Sequence, residues 1–149
     1  MKEENKDTSE KEIRPFGAVQ QFHQLKTLDK VPVADVRADT FFDLARFQRF
    51  LDRVGNPEKG LPVIHIAGSK GKGSTAVLLG AALQALGKRT GIFISPYLKE
   101  PTESIFMNGE AISKETFAAL LKSNLDVMAK GEARDFITSF EMLTVIALQ

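Results

Sequence analysis

Between His65 and Gly87 the chain reads HIAGSKGKGSTAVLLGAALQALG, which sets Gly68, Gly71 and Gly73 among Ser69, Lys70 and Lys72 and just ahead of Ser74 and Thr75. These residue types in this order suit the holding of a phosphate. Glycines let the backbone approach an anion closely, and the turn aims backbone N–H groups and the positive end of a helix dipole at one point. Lys72 supplies a point charge for the outer phosphates, and Ser74 or Thr75 offers a hydroxyl to Mg²⁺. The common pattern G-x-x-x-x-G-K-[ST], fixed on Gly71 and Lys72, would need glycine at Ile66 and Ser or Thr at Gly73. The chain has the shorter G-x-x-G-K-G-S-T instead. A glycine-rich turn with incidental lysines is the competing reading.

The elements that would position this turn are legible on either side. LPVIHIAG has the apolar, β-branched character of a buried strand, and STAVLLGAALQALG reads as a helix that stops at Gly87. KRTGIFIS follows as a second strand, and a helical crossover makes it parallel to the first, giving a βαβ unit. The loop PYLKEPTES then lies at the carboxyl edge of the strands, where ligands of open α/β sheets bind. IFMNGEAIS fits a hairpin turning at Asn108 and Gly109, followed by a helix from Ser113 to Gly131 with Phe117, Leu120, Leu121, Leu125 and Met128 on its inner side. Upstream, TFFDLARFQRFLDRVG places Leu44, Phe47, Leu51 and Val54 at helical spacing, with Thr40 and Asp43 as a capping box and Gly55 as a stop. The fold class expected is α/β, a P-loop-type parallel sheet with flanking helices.

Composition narrows the possible partners. Lys and Arg number 20 against 19 for Asp and Glu, so nothing points to nucleic acid or an anionic membrane surface. With no cysteine there is no disulfide framework, thiolate metal site or cysteine nucleophile. No signal peptide and no apolar run near 18 residues is present, which reads as cytoplasmic. Residues 1–39 form a charged tail, read as disordered, and a segment without an assignable pattern. The final stretch ITSFEMLTVIALQ starts a helix at Thr138 and runs out without a stop signal. A cut within an element is the expectation, leaving an exposed apolar helix prone to association.

The segments VIHIAGSKGKGSTAVLLGAALQALGKRTGIFISPYL, FMNGEAIS and ITSFEMLT, in this order, resemble folylpolyglutamate synthases and bifunctional dihydrofolate synthases, which belong with the Mur ligases. The resemblance covers roughly Phe41 to Gln149. It implies that residues 40–149 are the N-terminal portion of an ATP-binding domain, whose glutamate-ligase domain lies beyond Gln149. The implied reaction joins L-glutamate to a folate or dihydropteroate carboxylate through an acyl phosphate made from ATP. Also by resemblance, Ser69, Lys70, Gly71, Lys72, Gly73, Ser74 and Thr75 attend the ATP phosphates, with Lys72 catalytic. Ser74 and Ser95 are implied as oxygen ligands of Mg²⁺, although Ser95 also reads simply as a strand end before Pro96. Thr138, Ser139, Phe140 and Glu141 match a segment lining the pterin pocket, yet Thr138 and Glu141 form a capping box that needs no ligand, and for Phe140, as for any single aromatic, packing in the core is the expected role ahead of a pterin face.

Two positions depart from the family pattern. Tyr97 stands where histidine is usual after SP, and the run KEPTES lacks the usual arginine before the hairpin. The partners expected are small molecules, and the full-length enzyme is expected to be a monomer; this chain alone is expected to be inactive. A Mur-type ligase acting on another carboxylate and a non-catalytic P-loop nucleotide-binding module are the rival functions.

Overall fold

The computed structural model describes Phe22, residues 43–131 and residues 136–149. Four helices and a three-stranded antiparallel sheet account for the regular structure among them: α1 (Leu44–Arg53), α2 (Lys72–Ala85), β1 (Gly91–Phe93), β2 (Ile105–Met107), β3 (Glu110–Ala111), α3 (Lys114–Ala129) and α4 (Ser139–Leu148). A 3₁₀ turn, Pro101–Ser104, leads into β2. The chain is α/β, as its patterning indicates.

Local chemistry explains where three helices start. Asp43 caps α1 by accepting from the N–H groups of Ala45 and Arg46, Ser113 caps α3 by accepting from Thr116, and Thr138 caps α4 by accepting from Glu141. Asp43 is thus the cap itself and not the third residue of a box begun at Thr40, which lies outside the described residues. The inner face of α1 also differs from the expected one. Leu44 is 80% exposed, whereas Arg46, Phe50 and Leu51 are buried. Gly55 follows the C-cap Val54 with φ 90°, a stop of the kind expected.

The sheet is built around a hairpin. Asn108 and Gly109 have φ of 51° and 89°, the pair of positive values that a two-residue turn between right-twisted strands requires. β2 therefore pairs with β3, Phe106 opposite Ala111, and on its other side with β1, Phe93 opposite Ile105. Asn108 also clasps the start of β1, its N–H donating to the Thr90 carbonyl at 2.8 Å while its Oδ1 accepts from the Thr90 N–H at 3.0 Å.

The expected parallel pair of strands is absent among the described residues. Residues 61–67 join no ladder, and β1 finds its partner in β2, antiparallel. A run apolar on both faces is stable as a strand only when neighbours flank both edges and layers cover both faces. Here Val63 is 69% and Ile64 61% exposed.

The core lies where α3 and α4 meet β1 and β2. Phe117, Leu121, Met142 and Val145 are fully buried there, together with Phe50 and Phe22. α4 is consequently no exposed apolar helix, because its inner side is covered by α3 and the sheet. Phe22 falls in the segment without a readable pattern, yet its ring lies 5.8 Å from Phe117 and 6.5 Å from Tyr97, edge-on to both. Apart from Phe22, the tail and segment expected over residues 1–39 lie outside the described residues.

Candidate functional site

The glycine turn runs from Gly68 to the start of α2, and its shape comes from the backbone. Gly71 is the N-cap of α2 with φ 77° and ψ −2°, a left-handed conformation that opens the path into the helix and that a side chain at this position would strain. The first i→i−4 bond runs from the Thr75 N–H to the Gly71 carbonyl at 2.9 Å. α2 therefore begins at Lys72, two residues before Ser74. No side chain caps this helix, and no acidic residue sits in its first turn. Its leading N–H groups and its positive dipole end face a loop of exposed residues, which is the electrostatic arrangement that attracts an anion.

Lys72 is placed to work on that loop. Its Nζ donates to the Gly68 carbonyl at 2.8 Å, folding the ammonium back across the turn. Ser69 and Lys70 lie between these two points, exposed, and Ser74 and Thr75 present exposed hydroxyls from the first turn of α2, with Gly73 half-buried between them and Lys72.

Two contacts fix α2 against the sheet. Gly80 is its one buried residue, and a Cβ there would overlap Cδ1 of Ile92 on β1. The helix can lie this close only because the position is glycine. At the other end Gln84 Nε2 donates to Thr90 Oγ1 at 2.7 Å.

Beyond β1, Ser95 is exposed and is followed by Pro96 across a cis peptide. The next turn is braced by Glu103, whose Oε2 accepts from the N–H groups of Leu98 and Lys99, both at 2.9 Å. The hydrogen bond from the Lys99 N–H is the main cause holding this carboxyl below its ordinary pKa, against an opposing effect of burial, with the Leu98 N–H adding to the lowering. Tyr97 turns inward, half-buried against Phe22.

The Thr138–Glu141 turn is held from several sides. Thr138 Oγ1 accepts from the Glu141 N–H at 3.2 Å, and Glu141 Oε2 accepts from the Thr138 N–H at 2.7 Å, so the capping box is complete. Glu141 also pairs with Arg46 from α1, at 2.8 Å. Ser139 is buried. Phe140 is 55% exposed, and its ring lies 5.8 Å from that of Phe93 at the end of β1. The fold thus brings the Phe140 turn beside the strand that leads to Ser95, and it seats α2 on that same strand. Among the described residues no ring contact or ion pair links Ser69–Thr75 directly to Thr138–Glu141. Arg46 and Phe93 are the neighbours of this turn that residue patterns did not single out.

No group of three His, Cys, Asp or Glu side chains suited to a metal occurs among the described residues, and no helix among them is long and apolar enough to cross a membrane.

No family model matches the chain. Individual proteins do. A dihydrofolate synthase/folylpolyglutamate synthase of Bacillus subtilis is 36% identical over 107 residues, covering 70% of this chain and 25% of that protein. The Mycobacterium tuberculosis folylpolyglutamate synthase complexed with ADP superposes with a TM-score of 0.74 at 30% identity, covering 91% of this chain and 29% of that one. An FPGS–AMPPCP–folate complex superposes with a TM-score of 0.71 at 27% identity, over 91% of this chain and 31% of its own. The chain spans a quarter or less of the length of curated relatives such as the Bacillus subtilis protein. With sequence and fold agreeing across most of its residues, the chain belongs to the folylpolyglutamate synthase and dihydrofolate synthase family.

Proposed function

We propose that this chain is the ATP-binding part of a ligase that joins L-glutamate to a folate or dihydropteroate carboxylate. The observation that carries the reading is the uncapped start of α2, entered through left-handed Gly71 and crossed by Lys72, in a fold shared with a synthase complexed with ADP. On this reading the N–H groups and side chains of Ser69 to Thr75 surround the ATP phosphates. Lys72 exchanges its Gly68 carbonyl for a terminal phosphate oxygen and so offsets charge as the phosphoryl group moves to the carboxylate. The amine of glutamate then displaces phosphate from the acyl phosphate. Phe140, exposed beside Phe93, offers a face to the pterin, while Thr138, Ser139 and Glu141 shape the turn that carries it.

Mg²⁺ fits the donors available. Ser74 and Ser95 are exposed hydroxyl oxygens, hard and neutral, and Mg²⁺ is commonly held by few protein oxygens together with phosphates and water. Bound there, Mg²⁺ would neutralise phosphate charge. The near-balance of charge, 20 Lys and Arg against 19 Asp and Glu, leaves no bulk field for a polyanion and so supports small-molecule partners. A cytoplasmic setting and a monomeric full-length enzyme belong to the same proposal.

Lys72→Ala tests the reading. Titration of the chain with ATP, followed through the amide resonances of Gly71 to Thr75, should show affinity lowered by about tenfold or more, the order expected for losing a charge-assisted contact. The melting temperature should stay unchanged, because Lys72 is exposed and bonds only within its own loop. Equal ATP affinity in the variant would overturn the assignment. In the full-length enzyme, Ser95→Ala should raise the Mg²⁺ concentration needed for turnover, and an unaltered titration would return Ser95 to a strand end.

A further inference from the structure

Arg46 is buried to 1% exposure on the inner face of α1, and its guanidinium grips the entrance to α4 at three points. Nη2 donates to both carboxylate oxygens of Glu141, at 2.8 and 2.9 Å. Nη1 donates to the Phe136 carbonyl, and the guanidinium carbon lies 4.6 Å from the centroid of the Phe136 ring. The same Glu141 carboxylate closes the capping box through Thr138. A planar fork can meet a carboxylate and a carbonyl together, whereas a lysine ammonium would reach them only as a point charge.

Stability alone is a poor account of this arrangement. Desolvating two charges offsets most of what a buried pair gains, and apolar residues of similar volume would join α1 to α4 about as well. The fork adds direction, since it fixes the backbone at 136 and the side chain at 141 relative to one helix. Between the two gripped positions stands Phe140, exposed and set against Phe93. Glu141 is already committed on both oxygens.

We propose that Arg46 is a positioning residue, which holds the Phe136–Glu141 turn so that Phe140 stands against Phe93 as an exposed aromatic platform. Glu141 then serves the platform through Arg46 and does not touch the ligand. The proposal rests on the reading given above for its choice of ligand, a flat heteroaromatic ring such as the pterin of folic acid.

The test uses the chain with labelled phenylalanine rings, in the parent form, as Arg46→Lys and as Arg46→Met with Glu141→Gln. Three quantities are read: melting temperature, the nuclear Overhauser contact between the Phe93 and Phe140 rings, and affinity for folic acid. The double variant exchanges the ion pair for neutral groups and keeps a glutamine able to close the cap, so it should melt near the parent. It should nevertheless lose the ring contact and bind folic acid about tenfold or more weakly, as misplacement of a positioning group predicts. Arg46→Lys, which keeps the charge without the fork, should lose the ring contact too, and it decides the matter if the double variant does not fold. Variants that melt lower but keep the ring contact and parental affinity would reduce Arg46 to a structural role. If the parent chain itself fails to bind folic acid, the proposed ligand falls, and the ring contact alone still decides the role of Arg46.

Discussion

Helices α2 and α4 are both rich in apolar residues, yet the molecule treats them in opposite ways. α4 buries Met142, Leu143, Val145 and Ile146 against α3 and the sheet, whereas α2 buries only Gly80 and leaves Leu78 72% exposed. The contrast extends to their starts. α4 is closed by a complete capping box and an arginine, and α2 is entered through a bare glycine. At the start of α4 the Thr138 and Glu141 N–H groups are satisfied within the fold, whereas the start of α2 keeps its donors available to an anion. A phosphate-type turn needs little from a core beyond one strand to lean on, because its shape is carried by backbone angles. The aromatic turn at Phe140 is a product of distant packing and depends on all of it.

The strongest way to break this contrast is to damage the packed side. Phe117→Ala removes a fully buried ring that touches Phe22, and a cavity of that kind typically costs about 3–5 kcal/mol. Denaturant unfolding should show that loss in full, and the Phe140 ring contact should fade with the fold. A cost under about 1 kcal/mol would mean that the core is not centred on α3 and α4.

Gly71→Ala probes the other side at smaller cost. A Cβ at this position meets nothing within 4 Å, so the penalty is that of the left-handed conformation alone, about 1–2 kcal/mol. It should appear as reduced amide protection in α2, with the melting of α3 and α4 nearly unmoved. If the global transition shifts by the whole amount, α2 belongs to the same cooperative unit and the contrast is only one of exposure.

What the sequence made legible follows the same division. The Ser113 and Thr138 caps, the Asn108–Gly109 turn and the Gly55 and Gly87 stops are each written within a few residues, and each occurs where patterning puts it. The glycine turn into α2 is legible for the same reason. The strand expected at 61–67 was not secured by its apolar run, because ladder partners are a property of distant chain. Arg46 is harder still. An arginine at helical spacing from Phe50 gives no sign that its counterion lies 95 positions away. Leu44 was misplaced because spacing alone leaves the phase of a short amphipathic helix open by about one residue. Phe22 stands in a segment whose periodicity carries no signal, although its ring is fully buried.

The smallest expected effect concerns the turn that joins the two sides beyond Ser95. Glu103 holds the N–H groups of Leu98 and Lys99, and its pKa is lowered in the folded chain, chiefly by the Lys99 hydrogen bond. A carboxyl lowered on folding contributes stability above its unfolded value, and that contribution is lost as pH falls through the folded value. The Leu98 and Lys99 amide resonances should therefore titrate together, with a midpoint below the ordinary range of a glutamate carboxyl. Glu103→Gln should abolish that titration and loosen only this turn, leaving both the ATP response at Gly71 to Thr75 and the Phe93–Phe140 contact in place. Loss of either one would show that the turn couples the two sides, and that the packed region reaches the phosphate-type loop through Glu103 as well as through Gly80 and Ile92.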